Sequence, residues 1–259
     1  MEQRKEKEMI HYDESAKKWQ NKNKNQELET DIDNYDVNMF SSYRFCKTWL
    51  KNNIKPNIKF LDYGCGHGMH SILPAKLGAE VYAIDFSKES LKIAKKRAEK
   101  EKVENKIKFI EMDCEKLDFP DNYFDIVWDG GTFSSLDINK AFSELSRVLK
   151  PKGKFIGIET FGHNPLTNLK RWLNEKRGIR TTWATNHILK NKDLELAKKY
   201  FRIDKIYYFH LLSMLVFPVH DIPGGKSLFK FLYQVDNILL KIPFLKKYAF
   251  KIVFIFSKQ

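Results

Sequence analysis

A short apolar strand running into three glycines at alternate positions constrains this chain more than any other feature. Ile58, Phe60 and Leu61 lead into Asp62-Tyr63-Gly64-Cys65-Gly66-His67-Gly68, and a helix-compatible segment, Met69 to Leu77, follows. Glycine adopts backbone dihedrals closed to other residues and lets the chain pass close to a ligand. A strand that ends in such a turn and opens a helix makes a cofactor site. A second strand, Val81 to Ile84, ends in Asp85. That carboxylate lies about 20 residues beyond the first glycine, the spacing from which an acid reaches a ribose hydroxyl. Together these features point to a nucleoside-containing cofactor.

The glycine spacing separates two kinds of cofactor. A dinucleotide fingerprint has its third glycine three residues after the second, where it packs helix against strand. Met69 stands at that position here, and the third glycine comes one residue early, at Gly68. Asp62, two residues before the first glycine, would repel a pyrophosphate and attract a cationic aminoacyl group. Asp62 and Asp85 therefore suit a cofactor with an amine at one end and a ribose at the other, and a dehydrogenase is disfavoured.

Periodicity extends the pattern along the chain. Further strands are expected at 107–112, 124–128, 154–159, 202–214 and 250–256, with amphipathic helices at 39–53, 88–101, 138–149 and 191–200. Ser87 is a candidate N-cap for the second of these helices. Alternation of strand and helix specifies an α/β, doubly wound, mainly parallel seven-stranded sheet of Rossmann-like type. Ligands bind such sheets at the carboxyl ends of the strands. Asp62, Asp85, Asp113, Asp129 and Glu159 all fall at strand ends. Residues 1–38 are polar, with a loop expected at Asn21–Gln26 and a short helix at His11–Trp19 that sets Tyr12, Ala16 and Trp19 on one face. Residues 39–259 form the main domain, with aromatic-rich, substrate-side helical insertions at about 160–190 and 215–247.

Five blocks in order carry a family resemblance. Leu61 to Gly68 resembles motif I of the class I S-adenosylmethionine-dependent methyltransferases. Asp85-Phe86-Ser87 resembles the acidic position after their second strand, and Met112 to Leu117 the segment that holds adenine. Phe124 to Asp129 and Leu145 to Phe155 resemble the fourth strand and the helix, turn and strand that follow. The match covers roughly residues 40 to 160. Lys152 stands where the turn before the fifth strand usually has the first of two glycines, and the histidine pair many relatives carry after the fourth strand is missing.

The resemblance implies S-adenosylmethionine as cofactor and a sheet that ends in an antiparallel hairpin. It implies that Gly64, Cys65, Gly66 and Gly68 line the methionine part and that Asp62 orients its amino group. Asp85 would take the ribose hydroxyls, Asp113 and Cys114 would meet adenine, and Phe86 would cover one adenine face. An N-terminal helix would lie over the site and bring Tyr12 or Trp19 to the ligand. Methyl transfer from a sulfonium is an in-line displacement that needs alignment and no metal. Where the acceptor needs a base, Asp129 and His163 are the candidates.

Composition bears on the partner. The net charge of +13 admits a nucleic-acid or anionic-membrane partner. The lysines are distributed, with no compact basic block, and no RNA-binding module is appended, so RNA methylation is the less favoured reading. The leading expectation is a small-molecule or lipid-like acceptor; a cofactor-binding protein without turnover is a third reading. Ser227 to Leu240 is amphipathic with lysines beside it, a pattern that suits peripheral contact with an anionic membrane. Three scattered cysteines and the charged start, Met1 to Glu8, point to a reduced, cytoplasmic setting.

Overall fold

Strands that are buried on both faces read as nearly unbroken apolar runs, and the central strands here are of that kind. A computed structural model describes residues 2–23 and 41–258. In chain order these form α1 (Gln3–Lys22), α2 (Ser41–Asn53), β1 (Lys59–Tyr63), α3 (Met69–Lys76), β2 (Glu80–Asp85), α4 (Lys88–Lys100), β3 (Ile107–Glu111), β4 (Phe124–Asp129), α5 (Ile138–Val148) and β5 (Leu149–Thr160). The insertions and the last strands follow as α6 (Pro165–Lys176), α7 (Thr182–Asn186), α8 (Asn191–Ala197), β6 (Phe201–Phe209), α9 (Gly225–Leu239), α10 (Pro243–Lys246) and β7 (Lys251–Lys258).

The strands form one seven-stranded sheet in the order β3-β2-β1-β4-β5-β7-β6. The pairs among β1 to β5 are parallel, and β7 runs antiparallel to both β5 and β6. The order reverses at β1 and β4, which is the switch point where a doubly wound sheet opens a crevice. Strand pleat divides the core into two layers. Leu61, Val127, Phe155, Phe254 and Phe256 pack on one face, and Phe60, Ile126, Trp128, Ile156 and Ile255 on the other.

Local chemistry sets the helix ends. Ser87 caps α4 by accepting from the Ser90 N–H, and Asp137 caps α5 by accepting from the N–H groups of Asn139 and Lys140. Lys152 adopts φ of 65°, the left-handed conformation for which glycine is usual at that turn. A non-glycine residue there costs about 1–2 kcal/mol.

Several boundaries differ from the sequence expectation. The N-terminal helix runs from Gln3 to Lys22, longer than His11–Trp19, and takes in the start of the expected loop at Asn21–Gln26. Residues 24–26, 39 and 40 lie outside the described residues. Strand six stops at Phe209, and Ser213–Val219 forms a 3₁₀ turn. It stops because the carboxylate of Asp236 on α9 takes the N–H groups of Leu211, Leu212 and Ser213 at 2.7–3.0 Å, and an N–H bonded sideways is lost to the ladder.

Candidate active site

The turn after β1 is held by β2. The Cys65 N–H donates to the Ile84 carbonyl at 2.8 Å, and the Gly66 N–H donates to Asp85 Oδ2 at 2.8 Å. Asp85 Oδ1 accepts from the Ser87 N–H at 2.8 Å. One carboxylate thus joins the glycine turn to the start of α4. Burial pushes Asp85 up to about 6, against the hydrogen bonds from Ser87 and Gly66, which favour its ionised form.

These turns open onto a cleft at the carboxyl ends of the strands. Gly64, Gly66, Asp85, Phe86, Asp113 and Cys114 line it from the β1, β2 and β3 side. Gly130, Gly131 and Thr132 line it from the turn after β4. A shallower groove continues past Phe86 and Asp113 to Glu111 and Met112.

Helix α1 forms the fourth wall. Arg4 donates to Glu115 Oε1 at 2.6 Å and to the Ser135 carbonyl at 3.1 Å. Lys5 donates to Asp113 Oδ2 at 2.6 Å and lies 2.9 Å from Glu115 Oε2. The Tyr12 hydroxyl shares a 2.8 Å hydrogen bond with Ser135 Oγ, and its ring lies 5.9 Å from that of Phe86. Asp13 accepts from Ser87 Oγ at 2.6 Å. Burial pushes Glu115 up, but the Asp137 N–H, Lys5 and Arg4 outweigh it and hold the carboxyl below its ordinary range. Glu8 also lines the cleft; it is only 2% exposed, and its Oε2 has no hydrogen-bond partner among the described residues. A buried carboxylate oxygen left open in a cleft is costly unless a ligand donates to it. Lys5 already pairs with Asp113, so Glu8 and Asp85 are the carboxylates that suit a hydrogen-bond-donating ligand.

Comparison with known proteins agrees with this geometry. Residues 61–157 match the family model described as a methyltransferase domain. The chain is 34% identical over 142 residues to the malonyl-[acyl-carrier protein] O-methyltransferase of Buchnera aphidicola subsp. Baizongia pistaciae, covering 54% of this chain and 53% of that one. It is 34% identical over 138 residues to the demethylmenaquinone methyltransferase of Bacillus mycoides, covering 49% and 58%. The chain spans about half the length of the curated relatives it matches. Its fold is similar to that of geranyl diphosphate C-methyltransferase from Streptomyces coelicolor A3(2), solved with Mg²⁺, geranyl diphosphate and S-adenosyl-L-homocysteine. The TM-score is 0.62 at 14% identity, over 96% of this chain and 98% of that one.

Residues 61–157 thus match a methyltransferase domain, in a chain that has the fold of the class I methyltransferases.

Within this methyltransferase domain the residues expected from sequence separate into two sets. Gly64, Gly66, Asp85, Phe86, Asp113, Cys114 and Tyr12 meet at the cleft. Asp62, Cys65 and Gly68 shape the turn from behind and do not line it. Asp62 is 1% exposed and accepts from Ser71 Oγ on α3, and burial pushes it up to about 7. Trp19 packs its ring 5.0 Å from His67, on the outside of the glycine turn, so Tyr12 is the lid aromatic that reaches the cleft.

Neither expected base lies at the cleft. Asp129 is fully buried under the turn it forms, with Oδ1 accepting from the Thr132 N–H at 2.9 Å. Glu159 on the adjacent strand accepts from the Phe133 N–H at 2.8 Å. Burial raises both carboxyls, Asp129 to about 6, and the charge of Asp129 drives Glu159 further up. Two buried acids side by side retain a proton, and here they clamp residues 130–133. His163 Nε2 accepts from the Asn191 N–H at 3.1 Å and so caps α8, away from the cleft. Arg4, Lys5 and Glu8 were not singled out from sequence; the signal was the acid pair Asp113 and Glu115, which a chain must balance with cations from somewhere.

The raised carboxyls predict a pH dependence. An acid whose folded pKa lies above its unfolded value binds protons more tightly when folded, so its contribution is full below about pH 4 and is lost as pH rises through the folded value. For Asp62 that window runs from about 4 to about 7. The urea midpoint of wild type relative to Asp62→Asn is therefore expected to fall between about pH 4 and about pH 7. An unchanged difference between the two proteins across that range contradicts the burial of an ionisable Asp62.

Proposed function

We propose that the chain transfers a methyl group from S-adenosylmethionine to a small-molecule or lipid-like acceptor. The observation that carries this reading is a cleft walled by the glycine turn, Asp85 and Glu8, whose Oε2 has no hydrogen-bond partner among the described residues. S-adenosylmethionine, when bound, supplies an electrophilic methyl carbon on a sulfonium. The backbone at Gly64 and Gly66 would lie along its aminoacyl part, Asp85 would accept from the ribose, and Phe86 with Asp113 would hold the base. Glu8 and Tyr12 of α1 would exclude water above it.

The acceptor would approach from beyond Gly130. A Cβ at Gly130, which lines the cleft, would sit 3.2 Å from the His70 ring, so His70 packs directly against that residue. His70 stacks on Tyr43 at 5.6 Å and lies 4.9 Å from Trp128. Lys251, 8% exposed, donates to the Tyr43 hydroxyl at 3.1 Å. Burial, helped by the charges of Lys251 and Arg97, lowers His70 to about 4. A neutral imidazole can accept a hydrogen bond from an acceptor's hydroxyl or amine, so His70 would help to position the acceptor. The acceptors named for the two relatives, a malonyl-carrier protein and a demethylmenaquinone, support the small or lipid-like class over RNA.

Labelled-methyl transfer into cell extracts, separated into lipid, RNA and small-molecule fractions, tests the reading. Label is expected in the lipid or small-molecule fraction and to fall at least tenfold, about 1.4 kcal/mol of barrier, with His70→Gln. Label in RNA alone, or titration heats with NADH and none with S-adenosylmethionine, would overturn it.

A further inference from the structure

We propose that the two insertions form a face that docks on the surface of an anionic lipid bilayer. Helix α9 carries two apolar faces where a surface helix needs one. Gly225, Phe229, Asp236 and Leu240 are buried against the body of the protein. At 100° per residue, Leu228, Phe231, Val235 and Ile238 fall within an arc of roughly 80° on another side. Phe231 is 64% exposed, Ile238 66%, and Phe244 of the adjoining α10 67%. Apolar groups of this size clustered in water mark an interaction surface.

Charge selects the occupant. Residues 225–247 contain five lysines, at 226, 230, 241, 246 and 247, and a single acid, Asp236. That acid is buried and committed to the N–H groups of Leu211, Leu212 and Ser213. Lys226, Lys230 and Lys241 follow one flank of the helix, between its buried face and its exposed apolar arc. An apolar stripe with lysines along its flank lies in the plane of a membrane interface, rings among the acyl chains and ammonium groups among anionic headgroups. A second copy docked through this face would set lysine against lysine across a two-fold axis, which disfavours self-association. Among the described residues no helix is long and apolar enough to cross a membrane, so the contact is peripheral.

Position ties the face to the cleft. Asn164, the N-cap of α6, donates to the Tyr248 carbonyl at 2.8 Å, so the first insertion abuts the end of the second. Helix α6 leaves the end of β5, and α9 and α10 connect β6 to β7, where Lys251 pairs in register with Thr160. Both insertions therefore stand at the sheet edge that carries the cleft, and α6 adds the exposed Leu169 and Trp172.

Flotation of the whole chain with vesicles, without S-adenosylmethionine, tests the surface separately from methyl transfer. The protein is expected to float with phosphatidylcholine–phosphatidylglycerol vesicles and to stay in solution with phosphatidylcholine alone. The F231S/F244S variant, altered only at exposed rings, is expected to partition at least tenfold more weakly, and K230Q/K241Q to lose part of the salt sensitivity. Failure to float with anionic vesicles, or flotation unchanged in F231S/F244S, overturns the proposal. So does concentration-dependent dimerisation in sedimentation that the same two serines abolish, since the face would then belong to a second copy.

Discussion

Asp85→Ala is expected to weaken S-adenosylmethionine binding by about 3 kcal/mol, roughly a hundredfold in Kd. The carboxylate does two things at once. It lines the cleft, where a ligand hydroxyl would donate to it, and it accepts from the N–H groups of Gly66 and Ser87. Removing it leaves two backbone donors without their acceptor and frees the glycine turn from the start of α4. Asp85→Asn recovers little, because its amide nitrogen would face one of those N–H groups, donor against donor. Isothermal titration with a thermal melt alongside measures the effect. A folded Asp85→Ala protein with wild-type affinity would remove Asp85 from the site.

Gly68→Ala is expected to cost about 3 kcal/mol of stability and to lower the melting temperature by about 10 °C. Gly68 has φ of 72°, and a Cβ there would lie 2.6 Å from Ala94 Cβ and 3.0 Å from Ala94 Cα. The second contact is to the backbone of α4 and cannot be relieved by a rotamer. Gly66 is the internal control: it has φ of 50° but nothing within 4 Å of a built Cβ. Gly66→Ala therefore carries only the backbone cost, about 1–2 kcal/mol. Calorimetry on the two variants separates close packing from dihedral strain, and equal losses would show that α4 does not press on Gly68. Gly68 thus acts in how the turn packs, while Gly66 faces the cleft.

The glycine turn, the carboxylate after β2 and the order of strands and helices were legible because each is written in local chemistry. Glycine marks a left-handed backbone, a serine caps α4, and unbroken apolar runs mark strands covered on both sides. Lys152 shows how firmly the turn is imposed: the backbone adopts the left-handed conformation there without a glycine. The placement of Asp129, Asp62 and His163 was not legible, since a residue at a strand end or in an insertion can point to the cleft, into the core or to a neighbouring helix. Hydrogen bonds to Thr132, Ser71 and Asn191 settled the three cases.

By itself, then, the sequence determined the sheet, its crevice and the chemistry of the turn that faces it, because those depend on residues within about one strand–turn–helix unit of each other. Only the tertiary structure decided that α1 reaches the cleft through Arg4, Lys5 and Glu8 and through Tyr12 in place of Trp19, that Asp129 shares its burial with Glu159, and that His70 stands behind Gly130. Those contacts join residues from 30 positions apart, for Asp129 and Glu159, to 131, for Arg4 and Ser135, and no local preference encodes a pairing whose partners meet only when the core closes.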